Sequence, residues 1–285
     1  MRLPRSSPVV VVYSGLIDGR LVVHKGSHDE QRQVGRQPVV DRVIHGCSQE
    51  DGKHEAGSES FSCRALAFTG GAKAQLVSGG SDGEMAIWDA ESVQAICKAR
   101  AADSCAVSRL HYLEGANLVV CGDDDGNVGM WDPRRGLKKP VVAFREHDDG
   151  VGDFCSGGGA AGEYMLFTAS VDGTLSVFDI RRQKLEHKSE NQEDELLSIA
   201  ILRDAPLSSQ KGELGEAGGS KTASRSRAKV VCGTQMGNLH LFSYGYWKDM
   251  NDRFPGHPSS IEALRRVGDE KSTMFVTGSS FSRQA

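Results

Sequence analysis

One short pattern recurs along this chain of 285 residues and constrains its fold more than any other feature. In each copy an apolar run ends in small residues, a tight turn follows, and a second run alternates apolar and polar side chains. The turn positions are Asp18, Asp82, Asp125, Asp172 and Met236, each followed by glycine. A turn of this kind between two such runs favours a β-hairpin, because it needs positive φ angles that glycine adopts without steric cost. The pattern therefore predicts a series of hairpins.

The spacing of these turns predicts four strands in each repeat. Successive turns are 64, 43, 47 and 64 residues apart, and the two long separations contain polar insertions. A short apolar segment precedes the hairpins and another follows, which gives four strands in a unit of about 45 residues. This period and content are typical of a blade of a WD-repeat β-propeller, and Trp-Asp closes the third strand in two copies, at Trp88 and Trp131. The predicted fold is all-β, a WD-repeat propeller of four-stranded blades.

The repeats predict one incomplete propeller domain over residues 1–285, with four full blades and a partial blade at each end. The predicted full blades cover about 61–100, 105–145, 147–186 and 195–255, with partial blades at about 8–26 and 256–285. The polar stretches 27–60 and 203–228 have no hydrophobic period and are interpreted as loop insertions. WD-repeat propellers usually close with seven blades, so the abrupt change after Ser280 leads us to expect a truncated product.

Composition argues against several classes of function. The net charge is −4, from 34 basic and 38 acidic residues, which argues against a broad nucleic-acid surface. The seven cysteines form no Cys-x-x-Cys pair and the nine histidines show no metal spacing, so neither a disulfide framework nor a metal site is predicted. The apolar run at 9–13 is far shorter than the ~18 residues that span a bilayer, so no membrane association is expected.

Short matches to catalytic motifs lack the structural context that their chemistry needs. Residues 79–83 satisfy the Gly-x-Ser-x-Gly pattern of hydrolases, but a strand follows where that motif requires a helix. Residues 157–162 satisfy Gly-x-Gly-x-x-Gly, again without a following helix. Residues 215–222 approach a phosphate-binding loop, with Ser220 where glycine is required. We therefore predict no enzyme activity, no cofactor and no small-molecule substrate.

Histidine has a structural interpretation in this fold. In WD-repeat propellers a histidine ahead of the first strand joins a buried network with a serine of the second strand, the turn aspartate and the tryptophan of the third strand. His147 and His257 each lie four residues before a predicted strand. For His147 the predicted partners are Ser170 and Asp172, while Phe178 replaces the tryptophan and has no N–H to donate. The other predicted structural positions are Asp18, Asp82, Asp125, Trp88 and Trp131.

Residues 119–134 resemble the sixteen-residue box by which some WD-repeat proteins dock on the damaged-DNA-binding adaptor of cullin-4 ubiquitin ligases. The defining positions correspond to Asp125, Trp131, Asp132 and Arg134, and the first three are common to ordinary blades. The competing interpretation of Arg134 is a surface arginine beside a turn. A basic cluster at the same place could serve nuclear import or contact with RNA phosphates; it consists of Arg134, Arg135, Lys138 and Lys139.

An aromatic run at 242–261 is interpreted first as packing between the fifth and sixth blades. Here the chain resembles the family of WD repeat-containing protein 55, through residues 15–19 (GLIDG) and 252–261 (DRFPGHPSSI). Blade spacing is compatible over most of the chain, and the two insertions and the missing end depart from the family. The resemblance implies a propeller of the nucleus and nucleolus that is needed for ribosomal RNA processing and large-subunit assembly.

Two functions from different classes remain open. The first is a non-catalytic scaffold for protein or ribonucleoprotein interactions in ribosome biogenesis, with pre-ribosomal proteins as partners. The alternative is a substrate receptor that docks on the cullin-4 ligase adaptor through Trp131, Asp132 and Arg134. The sequence identifies neither the bound partner nor the propeller face that binds it.

Overall fold

The computed structural model describes 9–15, 21–27, 39–44, 62–70, 75–90, 92, 94–101, 105–157, 164–202, 229–267 and 274–279, the first three segments by backbone alone. These residues form 21 strands in antiparallel sheets and one short 3-10 helix, which confirms the all-β, WD-repeat prediction. The chain divides into two compact units, Met1–Phe144 and Arg145–Ala285, which are described separately. The prediction of a single domain over 1–285, with its blade boundaries, stays a prediction.

The first unit contains one three-stranded and two four-stranded sheets, each with its strands in chain order. The three-stranded sheet consists of β1 (Val9–Gly15), β2 (Leu21–Ser27) and β3 (Val39–Ile44). The next sheet consists of β4 (Cys63–Thr69), β5 (Gln75–Gly80), β6 (Glu84–Asp89) and β7 (Ala95–Arg100). The third consists of β8 (Val107–Leu113), β9 (Leu118–Asp123), β10 (Asn127–Trp131) and β11 (Val142–Arg145).

The second unit contains two four-stranded sheets and one two-stranded sheet, again in chain order. The first consists of β12 (Val151–Ser156), β13 (Met165–Ser170), β14 (Leu175–Asp179) and β15 (Lys184–Lys188). The second consists of β16 (Leu196–Leu202), β17 (Lys229–Thr234), β18 (Asn238–Ser243) and β19 (Asp252–Pro255). The two-stranded sheet pairs β20 (Ile261–Arg266) with β21 (Phe275–Ser279).

Strand β3 corrects the interpretation of residues 27–60 as a loop insertion. It pairs antiparallel with β2, with Leu21 opposite Ile44 and Lys25 opposite Val39. The segment VVDRVI contains four β-branched residues, which fit a pleated sheet well. The residues on both sides of this segment are mostly polar, so the short β-branched pattern is not recognised as a strand from the sequence. The predicted turn at Asp18 lies outside the described residues.

Successive sheets within each unit pack through the first strand of the later sheet. In the first unit, a Cβ atom added to Gly79 of β5 would lie 2.4 Å from Cγ1 of Val107, at the start of β8. In the second unit, a Cβ added to Gly233 of β17 would lie 2.6 Å from Cγ2 of Ile261, at the start of β20. Glycine at this second-strand position therefore leaves the space that the next sheet occupies.

A hydrophobic core fills the space between the two four-stranded sheets of the second unit, and it includes the fully buried Phe167 and Phe242. Burying a side chain of this size stabilises the fold by roughly 1.5–3 kcal/mol. Tyr244 and Trp247 pack on Phe167 of β13, with ring centroids 6.0 and 5.1 Å away. The aromatic run therefore packs between the fourth and fifth predicted blades. The expectation that its packing lies between the fifth and sixth is wrong for these two rings, because the loop after β18 turns back towards β13.

We predict that Gly233→Ala destabilises the protein by about 1–3 kcal/mol, because the added methyl group overpacks its contacts with Ile261, at 2.6 Å, and with the Ser198 hydroxyl, at 2.5 Å. Gly278→Ala is the matched control, since Gly278 holds the corresponding position of β21 and an added Cβ meets its nearest atom, the Ala263 Cβ, at 3.3 Å. Urea unfolding of both variants measures the difference. Equal losses of stability in the two variants would show that the close approach of sheets is not what Gly233 permits.

Candidate functional site

A buried polar network surrounds His147 just before β12. The Nε2 atom of His147 lies 2.7 Å from Oγ1 of Thr168, and its Nδ1 lies 3.0 Å from Oγ1 of Thr174. The same Nδ1 lies 3.3 Å from Oδ2 of Asp172. Asp172 also accepts the backbone N–H of Asp148, at 3.0 Å. The network therefore ties the turn between β13 and β14 to the segment that leads into β12.

This network corrects the predicted partner Ser170. The side chain of Ser170 is buried, but its hydroxyl bonds to the carbonyl groups of Asp149 and Gly150, each at 3.0 Å. The imidazole of His147 extends past it to Thr168, two residues earlier on the same face of β13. The predicted pairing of His147 with Asp172 is present.

His257 repeats the histidine–threonine bond of this network in the two-stranded sheet. Its Nε2 atom lies 2.6 Å from Oγ1 of Thr277, in the middle of β21. Thr277 and Thr168 hold corresponding positions of their strands, two residues before the serine that ends each one. Both predicted histidines therefore bind a threonine that the sequence did not single out. A serine or threonine in the middle of the second strand is the sequence feature that identifies this hydrogen-bond partner.

The two predicted tryptophans differ in their hydrogen bonding. Nε1 of Trp88 donates to Oγ of Ser78 at 2.8 Å, as expected for a blade network. Trp131 is equally buried, but its Nε1 has no hydrogen-bond partner among the described residues. Cys121 occupies the position that Ser78 has in the preceding sheet, and a thiol is a weak acceptor. Trp131 therefore serves as packing, in the cluster that also holds Val107.

The turn carboxylates are also placed differently from one sheet to the next. Oδ1 of Asp82 accepts the backbone N–H of Glu84 at 3.0 Å, within the turn where the sequence places it. Asp125 lies in its turn, as predicted from the sequence position, and is exposed there. The buried carboxylate of Asp123 accepts the N–H groups of Asp125 and Asn127 at 3.1 and 2.8 Å.

The hydrogen bonds around Asp172 decide its protonation. Burial by itself would raise the pKa of Asp172, but donors from His147, Thr174 and the Asp148 backbone hold the pKa well below its usual range. The carboxylate form is therefore strongly favoured in the folded protein. Because the folded pKa is lowered, this group stabilises the fold above its unfolded pKa of ~3.9, and the contribution disappears as pH falls towards the folded pKa.

We predict that Asp172→Asn lowers the free energy of unfolding by about 1.5–3 kcal/mol at neutral pH, because charge-assisted hydrogen bonds are lost. The deficit should shrink as pH falls below about 4, where the unfolded wild-type carboxyl also takes up its proton. Urea unfolding over a pH series measures it. Asp148→Asn is the control, since 94% of the Asp148 side chain is exposed. A deficit that stays constant down to pH of about 2.5 would contradict the assignment.

The predicted ligase-docking box runs through β9 and β10 and ends in a capped turn. Asp132 is the N-cap of the 3-10 helix Pro133–Arg135, and its Oδ1 accepts the backbone N–H of Arg134 at 3.0 Å. The guanidinium of Arg134 donates to both oxygens of Asp132, at 2.9 and 3.0 Å. Those bonds also keep the pKa of Asp132 below its usual range. Trp131 and Asp132 are buried, whereas 68% of the Arg134 side chain is exposed.

His240 is a further polar position that sequence reasoning missed. It is fully buried in β18, and neither ring nitrogen has a hydrogen-bond partner among the described residues. Burial and the positive charge of Arg253 lower its pKa, partly offset by Asp194. Burial in β18 therefore favours the neutral form of this imidazole.

Three cysteines in the described strands are not activated as nucleophiles. Burial raises the pKa of the thiols of Cys121, Cys155 and Cys232, so each is held as an unreactive thiol. Within the described segments no three His, Cys, Asp or Glu side chains are grouped to hold a metal ion. No helix in that same part of the chain has the length and apolar character to cross a membrane.

Comparison with known proteins gives relatives along most of the chain, although no protein-family model matches it. WD repeat-containing protein JIP5 of Coprinopsis cinerea is 34% identical over 228 residues, 77% of this chain and 48% of the relative. WD repeat-containing protein 55 of Arabidopsis thaliana is 30% identical over 270 residues, 94% of this chain and 62% of the relative. The protein of the same name from Rattus norvegicus is 27% identical over 82% of this chain. The chain spans 48%, 62% and 53% of the lengths of these three relatives.

Proposed function

The chain belongs to the family of WD repeat-containing protein 55, and from this premise we propose that it is a non-catalytic scaffold in ribosome biogenesis. It would act in the nucleus and nucleolus, where ribosomal RNA is processed and the large subunit is assembled. Its partners would be pre-ribosomal proteins or ribonucleoprotein. The role follows from the resemblance to the family, and the geometry of the repeats supports its non-catalytic character.

The observation that carries the non-catalytic part of this proposal is that histidine and aspartate side chains, which enzymes often use in catalysis, are bonded to other residues of the chain. His147 and His257 bind threonines of neighbouring strands, and Asp172 is held by three kinds of donor. In an enzyme, side chains of these types often face the substrate. Here they form hydrogen bonds that connect turns to strands. A rigid set of sheets then presents its loops for binding, and loops on a rigid framework are the usual binding elements of such proteins.

The receptor function remains the second candidate because one observation favours it. Arg134 is mostly exposed, yet its guanidinium is fixed by both oxygens of Asp132. An arginine held in one orientation loses little entropy when a partner binds it. This geometry suits an interface anchor, and it also suits an arginine that only stabilises its turn.

The experiment is affinity capture of the tagged chain from nuclear extract, with parallel imaging of its location. We expect pre-ribosomal proteins and precursor ribosomal RNA in the captured material and a nucleolar signal. Arg134→Ala should leave that association nearly unchanged, since exposed substitutions usually change free energies by no more than about 0.5 kcal/mol. Capture of no pre-ribosomal protein, together with a cytosolic location, would refute the scaffold proposal.

The same capture separates the two candidates when the ligase adaptor is also probed. The receptor function predicts adaptor in the wild-type sample and its loss with Arg134→Ala, about thirtyfold for an anchor worth ~2 kcal/mol. Arg182→Ala is the matched control, because 69% of the Arg182 side chain is exposed and it too lies in a turn after the third strand of its sheet. Adaptor absent from every sample would remove the receptor function.

A further inference from the structure

The connection between β10 and β11 concentrates positive charge on a chain whose net charge is −4. Its four exposed basic side chains are Arg134, Arg135, Lys138 and Lys139. Between residues 132 and 141 the sequence contains one acidic side chain, Asp132. One carboxylate cannot balance four cations, so the connection, which we name the basic connection, carries a surplus.

Both carboxylate oxygens of Asp132 accept hydrogen bonds from the guanidinium of Arg134. Arg135 lies further away, with 3.6 Å between its Nε and Oδ2 of Asp132, and 80% of its side chain is exposed. Lys138 and Lys139 have no ion-pair partner in the part of the chain that the structure describes. The single carboxylate of Asp132 is therefore shared by two guanidinium groups, and the surplus positive charge lies on Lys138, Lys139 and the partly paired Arg135.

The backbone of the basic connection is fixed. Leu137 lies between the two pairs of cations and is buried in the core of the first unit. Gly136 has a φ of 70° and donates its N–H to the carbonyl of Pro133, which closes the 3-10 helix. Val141 donates its N–H to the carbonyl of Met130 at 2.7 Å. A ligand would meet cations on an ordered backbone, which lowers the entropy cost of binding.

In the first sheet of the second unit, the cations at the corresponding connection, between β14 and β15, have charged or aromatic partners. There Arg182 pairs with Asp179 and Glu186, at 3.7 and 3.5 Å, and Lys184 pairs with Glu186 at 3.1 Å. The Arg181 guanidinium carbon lies 3.4 Å from the centroid of the Tyr164 ring. That repeat satisfies its positive charges internally. Uncompensated charge is therefore a property of the basic connection and not a requirement of the blade.

We propose that Arg135, Lys138 and Lys139 bind the phosphate backbone of RNA. Lysine and arginine on a firm surface neutralise successive phosphates and release the counterions that the strand had condensed. A guanidinium can also bind a phosphate through two parallel N–H bonds. The choice of RNA over other polyanions rests on the proposed function in ribosomal RNA processing. Binding without base contacts makes this an affinity surface that does not read sequence.

The test is fluorescence anisotropy of the full chain with a labelled oligouridylate of about 12 nucleotides, over a range of salt concentrations. The test variant is the double substitution Lys138→Gln and Lys139→Gln. The matched control is Arg182→Gln with Lys184→Gln, which removes two exposed but ion-paired cations, one in the corresponding connection and one at the first residue of β15. The thermal midpoints of both variants are compared with that of the wild type. All of these side chains are exposed, so we expect the midpoints to be nearly unchanged.

We expect the Lys138 and Lys139 double variant to bind the oligouridylate about 25-fold more weakly at about 0.1 M salt, because two counterions are no longer released. The slope of log affinity against log salt should become shallower by about 1.4. The control should bind within about twofold of the wild type. Wild-type affinity in the double variant, or an equal loss in the control, would overturn the proposal. Equal competition by an oligoglutamate of the same charge would overturn it too, in favour of an acidic protein segment.

Capture from nuclear extract separates failure of this inference from failure of the proposed function. Pre-ribosomal proteins captured by a chain that does not bind oligouridylate would overturn the RNA surface and leave the scaffold function standing. Oligouridylate binding that depends on Lys138 and Lys139, without capture of any pre-ribosomal protein, would support the surface and refute the scaffold function.

Discussion

Val107 and Ile261 occupy space that a side chain at Gly79 or Gly233 would fill, and the packing of one sheet on the next depends on this approach. In each case the first residue of an incoming strand lies against the second strand of the preceding sheet. Ser198 reinforces the contact in the second unit, where its hydroxyl donates to the carbonyl of Ile261 at 2.8 Å. A sheet of a repeat protein cannot bury its apolar face alone, so its stability comes from such contacts with its neighbour.

The polar positions of the repeats vary from one sheet to the next. The middle of the second strand carries a hydroxyl in Ser78, Thr168 and Thr277, and each hydroxyl bonds to a tryptophan or a histidine. Where Cys121 stands at that position, the indole of Trp131 is buried without a partner for its N–H among the described residues. A buried polar group without a partner costs free energy. In that sheet the indole of Trp131 packs in the apolar cluster without this hydrogen bond.

The sequence predicted the features that short-range chemistry determines. The hairpins followed from glycine turns between alternating runs, and the four-stranded sheets followed from their spacing. Hydrogen-bond partners were harder to predict, because they depend on how far a side chain extends into the fold. The choice between Ser170 and Thr168 depends on how far the imidazole of His147 extends, and the choice between Asp125 and Asp123 depends on which carboxylate faces the turn. The sequence pattern gives neither the reach of the imidazole nor the orientation of the carboxylate.

Native-state hydrogen exchange of the second unit tests the dependence of each sheet on its neighbour most directly. Strand β16 lies between successive sheets and is mostly buried, whereas all four residues of β19 are exposed. Opening free energies are highest for elements with dense buried contacts. We predict that the amides of β16 and β17 exchange together and more slowly than those of β15 and β19. Amides of β16 that exchange as fast as those of β19 would contradict the claim that packing between sheets holds this fold.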